Sequence, residues 1–216
     1  MEHYSAKDLQ EMDKIYRRNL VNSATGYKSA SLVATVSEAG ISNVAVFNSV
    51  FHLGSNPPML GLVLRPETVP ANIYQSMSAT GSFTVNHIQR NMIEQAHQTV
   101  EQPDKDISGF EQSGLEEEFL DGFPAPYVRQ SSIKLGCKYV NEYTINENGA
   151  RIIVAAVEHI YFEEGIEMPD GWLRLEDAGS VVLNGLDGYA LPELLDRFRY
   201  ARPGEEIRSF FSSSKQ

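Results

Sequence analysis

Two long runs, "SSIKLGCKYVNEYTI" and "RIIVAAVEHIYF", are joined through "NENG" and constrain this chain more than anything else in it. Both are rich in β-branched and aromatic residues, and Asn148-Gly149 is a tight-turn signal, so the pair predicts a long antiparallel hairpin. Other strand-like runs precede it: "ASLVATV" (Ala30 to Val36), the stretch Gly40 to Pro58, "MLGLVLR" (Met59 to Arg65) and "SFTVNHI" from Ser82. "SEAG" turns the first of these back into the second.

Helical signals are inserted between the strands and do not alternate with them. Ser5 and Asp8 have capping-box spacing before Leu9, Met12, Ile15 and Tyr16, which predicts an amphipathic helix within residues 1–20. "VPANIYQSMSATG" reads as a helix with Pro70 in its first turn and Gly81 at its end. "RNMIEQAHQ" reads as helical, as do Leu115 to Leu120 within an acidic surface excursion over 101–122, and "ALPELLDRFRY" in a C-terminal extension over 172–216. At least six sequential antiparallel strands with inserted helices predict a mainly β fold, a small barrel decorated with helices. A doubly wound parallel sheet requires alternation. With 42% hydrophobic and 10% aromatic residues in 216, one domain over 1–216 can build its own core.

The stretch "GISNVAVFNSVFHLGSNPP" reads as a buried strand interrupted by Asn43, Asn48 and Ser49. An unpaired amide or hydroxyl on a core-facing side costs roughly 1–3 kcal/mol, so these groups need partners. Lys28, Ser29 and Ser31 precede the first hairpin and Arg65 ends the third strand. Such a set can cradle an anion, and the same residues can instead satisfy a bulge and a solvated surface.

Several function classes are excluded on sequence grounds. Eighteen basic against twenty-nine acidic residues give a net charge of -11, which repels polyphosphate and argues against nucleic acid. The single Cys137 rules out an internal disulfide and multi-cysteine metal motifs. No run approaches the ~18 apolar residues of a membrane span, and the charged start is unlike a signal peptide, so a cytoplasmic protein is expected. Nucleotide-loop, nucleophile-elbow and zinc-protease motifs are absent. His52, His87, His97 and His159 lack paired ligand spacing, so no metal site is expected, and Glu116 to Glu118 read as a solvated face.

The run "NSATGYKSASLVATVSEAGISNVAVFNSVFHLGSNPPMLGLVLRP", followed by "TGSFTVNHI" and "FPAPYVRQSSIKLGCKYV", resembles the flavin reductase-like family of FMN-binding split barrels. "GLDGYALPELLDRFRYARPG" resembles the C-terminal signature of one bacterial branch. The resemblance implies an antiparallel split β-barrel, a homodimer, and FMN in a groove near the subunit interface. It places the strand Ala45, Val46, Phe47, Asn48, Ser49 to Phe51 along the flavin, with Phe47, Asn48, Ser49 and Phe51 at the ring. Lys28, Ser31 and Arg65 are implied for phosphate or ribityl, and the cofactor set extends to Ser29 and Asn72. Asn86 and His87 are implied to face the ring or the hydride donor.

Relatives commonly read F-S-S where this chain has Phe47-Asn48-Ser49, and often carry Arg, Thr and Asn at the places of Ala71, Ile73 and Ser76. Those exchanges remove a cation and a hydroxyl, at ~1.5–3 kcal/mol for each charge-assisted contact made there. The activity implied is hydride transfer from NADH or NADPH to flavin, with electrons passed to free flavin, oxygen or another protein. Two other readings are a flavin-binding electron carrier or sensor without nicotinamide turnover, and a split barrel that has lost flavin. Hydride transfer requires no acid or base from the protein, so no catalytic residue is assigned.

Overall fold

The computed structural model describes residues 1–65, 71–100 and 108–211. In chain order the elements are α1 (Ala6–Glu11), α2 (Lys14–Ala24), β1 (Lys28–Ser29), β2 (Ser31–Val36), β3 (Ser42–Phe47), β4 (Val50–Ser55) and β5 (Pro58–Leu64). Next come α3 (Ala71–Thr80), β6 (Ser82–His87), α4 (Ile93–Gln98), α5 (Gly109–Ser113), β7 (Glu117–Glu118) and β8 (Tyr127–Val128). The predicted long hairpin is β9 (Ile133–Ile145) and β10 (Ala150–Phe162), followed by β11 (Val182–Asn184) and β12 (Gly188–Ala190).

Seven strands form one antiparallel sheet in the order β3-β2-β6-β9-β10-β5-β4. The long hairpin lies at its centre, β9 pairing with β6 and β10 with β5. Its turn closes as the sequence predicts: Gly149 has φ 70, and its N–H donates to Ile145 O at 2.8 Å. The two edge strands, β3 and β4, are separated in the chain only by Asn48 and Ser49. Seven strands cannot lie flat while two residues join opposite edges, so the sheet curls on itself, giving the split barrel.

Burial follows the two-residue period of a strand. Along β2, Val33 faces a core with Ala45, Phe47, Leu62, Ile73, Met77, Phe83 and Ile153. Leu32 and Ala34 face a second core with Val44, Ile88, Met92, Phe110 and Leu183. Because both faces are covered, "SLVAT" is buried at every position, and its apolar residues do not alternate with exposed ones.

Five sequence expectations change. The stretch from Gly40 is two strands on opposite sheet edges, because Asn48 and Ser49 leave one edge and join the other. The N-terminal helix is two helices. Ser5 and Asp8 form the capping box, Met12 then turns extended, and Asp13 caps α2 by accepting from the Ile15 and Tyr16 N–H groups. The helix expected over Leu115 to Leu120 lies earlier, at α5, stopped by Gly114 at φ 70; Glu117–Glu118 pairs with Tyr127–Val128. The described part of that excursion is anchored rather than superficial, with Phe110 and Leu115 each 4% exposed.

The C-terminal helix does not form. Phe198 bridges Ser209, and the N–H groups of Arg199 and Phe210 donate to Arg208 O and Arg197 O, which takes the hydrogen bonds a helix needs. Arg197 ion-pairs with Asp170 at 2.6 Å and lies over Trp172 and Phe210, so long-range contacts override the helical spacing. The Pro70 helix start and residues 101–107 of the excursion lie outside the described residues. Gly81, at φ 73, ends α3 as expected.

Candidate functional site

The β3–β4 junction is where chemistry-bearing residues converge. Ser49 stitches the junction to β5: its Oγ donates to Val63 O at 2.8 Å and its carbonyl accepts from Val63 N–H at 3.3 Å. Asn48 Nδ2 donates to Gly185 O at 3.1 Å, tying the junction to the β11–β12 turn. Ser29 Oγ donates to Val50 O at 2.9 Å and brings β1 alongside. Phe51 lies on Gly61, where an added Cβ would be 2.4 Å from the ring, so the glycine makes room for that aromatic.

The other predicted residues divide into three groups. Ala45 and Phe47 are core residues, and buried Ser31 sits between Phe47 and His87 in the sheet. The Val46 N–H donates to Thr99 Oγ1 at 2.9 Å. Lys28 pairs with Leu183, and its ammonium donates to Asn22 O at 2.6 Å and Gly26 O at 2.9 Å, while Arg65 directly follows β5. These residues surround the junction or support it.

Asn86 and His87 have other partners. Asn86 is fully buried, donates to Leu32 O and Thr84 Oγ1, and accepts from Val128 N–H at 3.0 Å, so its amide holds three elements together. His87 Nδ1 is 3.3 Å from Ser180 Oγ, and burial lowers its pKa to about 4, which leaves the imidazole neutral at pH 7. Asn72 lines a separate cavity with Asn43 and Ser76, and Ile73 packs in the first core.

The flavin reductase like domain matches residues 26–180 of this chain, which include every residue described around the junction up to β10. The chain belongs to the flavin reductase-like domain family. A crystal structure of a flavin reductase candidate with a split barrel domain, from Shewanella frigidimarina, is 34% identical with a TM-score of 0.90, covering 93% of this chain and 100% of that one. An FMN-binding protein from Thermus thermophilus is 14% identical with a TM-score of 0.67, over 89% and 96% of the two chains. An NADH:FAD oxidoreductase from Streptomyces globisporus is 13% identical with a TM-score of 0.65, over 90% and 99%.

In this flavin reductase-like domain, part of the junction is supplied from beyond the matched residues. Gly185 receives the Asn48 amide, and Asp187 and Tyr189 line an adjoining groove of about 600 Å³ with Ile93, Glu94 and His97. His97 Nδ1 is 3.3 Å from Tyr189 OH, and burial pushes the Tyr189 phenol up to about 12. The sequence reading did not single out Thr99, Gly185, Asp187 or Tyr189. Gly185, Asp187 and Tyr189 fall within the C-terminal signature "GLDGYALPELLDRFRYARPG", but the signature gives them no role, since the Asn48–Gly185 bond spans 137 positions.

Proposed function

We propose that this protein binds FMN along the β3–β4 junction and transfers hydride from NADH or NADPH to flavin, acting as a homodimer. The observation that carries this reading is the family match, whose span holds the junction with its converging Ser29, Asn48 and Ser49. The local structure fits such a group. Among the described residues β4 pairs only with β5, so apart from Val50 O, which Ser29 Oγ takes, its other edge presents backbone donors and acceptors outside the ladder, the pattern a polar heterocycle edge needs. Phe51, 38% exposed, adds an apolar surface beside that edge.

Flavin, when bound, supplies the hydride chemistry itself. The chain's residues bind and orient. Asn48 Oδ1 and the Ser49 hydroxyl accept from donors on the ring while their own donors stay on Gly185 and Val63, which holds both side chains in place. Lys28 keeps one ammonium proton beyond the two it gives to carbonyls, and Arg65 adds a second cation for a phosphate. Exposed Phe51, Leu53, Val140, Tyr143, Ile160 and Phe162 offer apolar surface for a second copy, in keeping with the proposed dimer. The lone, buried Cys137 suits a reducing cytoplasm.

Titration with FMN and with FAD, followed by anaerobic addition of NADH and NADPH, tests the reading. Uptake of FMN in preference to FAD and bleaching of the bound flavin are expected. Failure to take up either flavin sinks the flavin reading, and bound flavin indifferent to both nicotinamides sinks the reductase. The double variant N48L/S49L is expected to lose FMN uptake while its circular dichroism is kept, and an unchanged titration would move the flavin elsewhere. Light scattering showing a stable monomer would overturn the dimer.

A further inference from the structure

Both ends of the chain are ordered without a core of their own. In 1–27 and in 191–211 no residue is buried, and Ala30 is the first buried residue of the chain. Each end is nevertheless built. α1 has its capping box, Asp13 caps α2, and the Lys28 ammonium donates to Asn22 O at 2.6 Å and Gly26 O at 2.9 Å, which ties the end of α2 to β1. At the other end Arg199 N–H donates to Arg208 O and Phe210 N–H to Arg197 O, and the Arg197 side chain is fastened to Asp170 between the rings of Trp172 and Phe210. A helix of 11 residues falls short of the ~12–15 that persist alone in water, so α2, with no buried residue, needs a surface to lie on.

Large apolar side chains face solvent on both arms. Ile15 and Tyr16 on α2 and Leu195, Phe198, Tyr200 and Ile207 on the C-terminal arm are between 52 and 92% exposed. At roughly 200 Å² for a fully exposed large side chain these six present on the order of 800 Å², the share that a stable specific interface takes from each partner. Charge selects the occupant. Each arm holds four basic and four acidic residues and is neutral, so the whole net charge of -11 lies on the rest of the chain. Two such acidic bodies repel each other, and a neutral arm approaches one without that penalty. The body also offers an apolar counterpart, with Tyr143, Ile160 and Phe162 exposed along the β9–β10 hairpin.

We propose that the two arms are clasps for a second copy of this chain, the α2 arm and the C-terminal arm of one protomer lying on the body of its partner over the apolar residues of β9–β10. This deepens the homodimer of the proposed function and rests on it. The clasp also reaches the site: the carbonyls of Asn22 and Gly26 hold the Lys28 ammonium, so fixing α2 on the partner fixes the cation proposed for the flavin phosphate.

Sedimentation velocity of the full-length protein over a range of concentrations, with hydrogen exchange followed on the same samples, tests the clasps. The wild type is expected to sediment as a dimer, and the amides of α2 to gain protection as the dimer fraction rises. The double variants I15E/Y16E and L195E/Y200E change exposed positions only, so circular dichroism and the melting temperature of the barrel should hold while each raises the dimer dissociation constant about ten-fold or more. An arm variant that dimerises as tightly as the wild type, or α2 amides that exchange equally fast in monomer and dimer, would overturn the clasps and leave the dimer to the sheet surface alone. A wild type that stays monomeric would overturn the dimer of the proposed function together with them, and FMN titration of the same samples reads separately whether the flavin site stands.

Discussion

Asn86 and Asn43 lie on strands separated only by β2, and both are almost fully withdrawn from solvent. Asn86 makes three hydrogen bonds, to β2, to its own strand and to β8. Among the described residues, Asn43 leaves its carbonyl oxygen without a partner, and its cross-strand neighbour Thr35 leaves its hydroxyl without one. The same residue type at the same depth thus does opposite things: a satisfied amide adds to the rigidity of the barrel, and an unsatisfied one costs stability. The junction residues Asn48 and Ser49 stand between these cases. Their donors are committed to the backbone, and their acceptor capacity remains.

The largest expected effect breaks the satisfied side. Asn86→Ala leaves the Val128 N–H buried and unmade, takes a donor from Leu32 O and Thr84 Oγ1, and should cost about 3–5 kcal/mol in urea unfolding. A loss below 1 kcal/mol would remove the contrast with Asn43. The next tests its neighbour. His87 has its folded pKa lowered from 6.5 to about 4 by burial, so the unfolded chain binds the extra proton first. Its contribution is fully present above pH 6.5 and is lost as pH falls toward 4, on the order of 3 kcal/mol in all. His87→Gln should flatten that part of the stability profile, and a profile unchanged by the substitution would contradict the burial.

The smallest effect has the opposite sign. Thr35→Val replaces a buried hydroxyl without a partner by a methyl group of similar shape and should stabilise by about 1 kcal/mol, read from the denaturation midpoint. Destabilisation by the same amount would mean that the hydroxyl has a partner, and Asn43 and Asn86 would then be alike.

Much of the architecture was legible because it is local. The β9–β10 hairpin, the β2–β3 hairpin and the end of α3 are set by Asn148-Gly149, "SEAG" and Gly81, whose turn conformations act within a few residues. The split of Gly40 to Pro58 was legible only in part. Asn48 and Ser49 stood out as polar, but nothing nearby showed that they cross from one sheet edge to the other. The C-terminal helix was misread because Leu191, Leu194, Leu195 and Phe198 have helical spacing, while Arg197 is held by Asp170, Trp172 and Phe210.

By itself, the sequence determined the long strands β2, β5, β6, β9 and β10 and the turns of their hairpins, because strand propensity and turn chemistry are properties of short segments. Only the tertiary structure decided which buried polar groups are satisfied. The long-range partners of Asn86, Asn48 and His87 lie 42 to 137 positions away along the chain, and among the described residues Asn43 is without one for its Oδ1. A hydrogen bond requires its two atoms within about 3 Å, and that condition is met or missed only when the sheet has curled and its edges have joined.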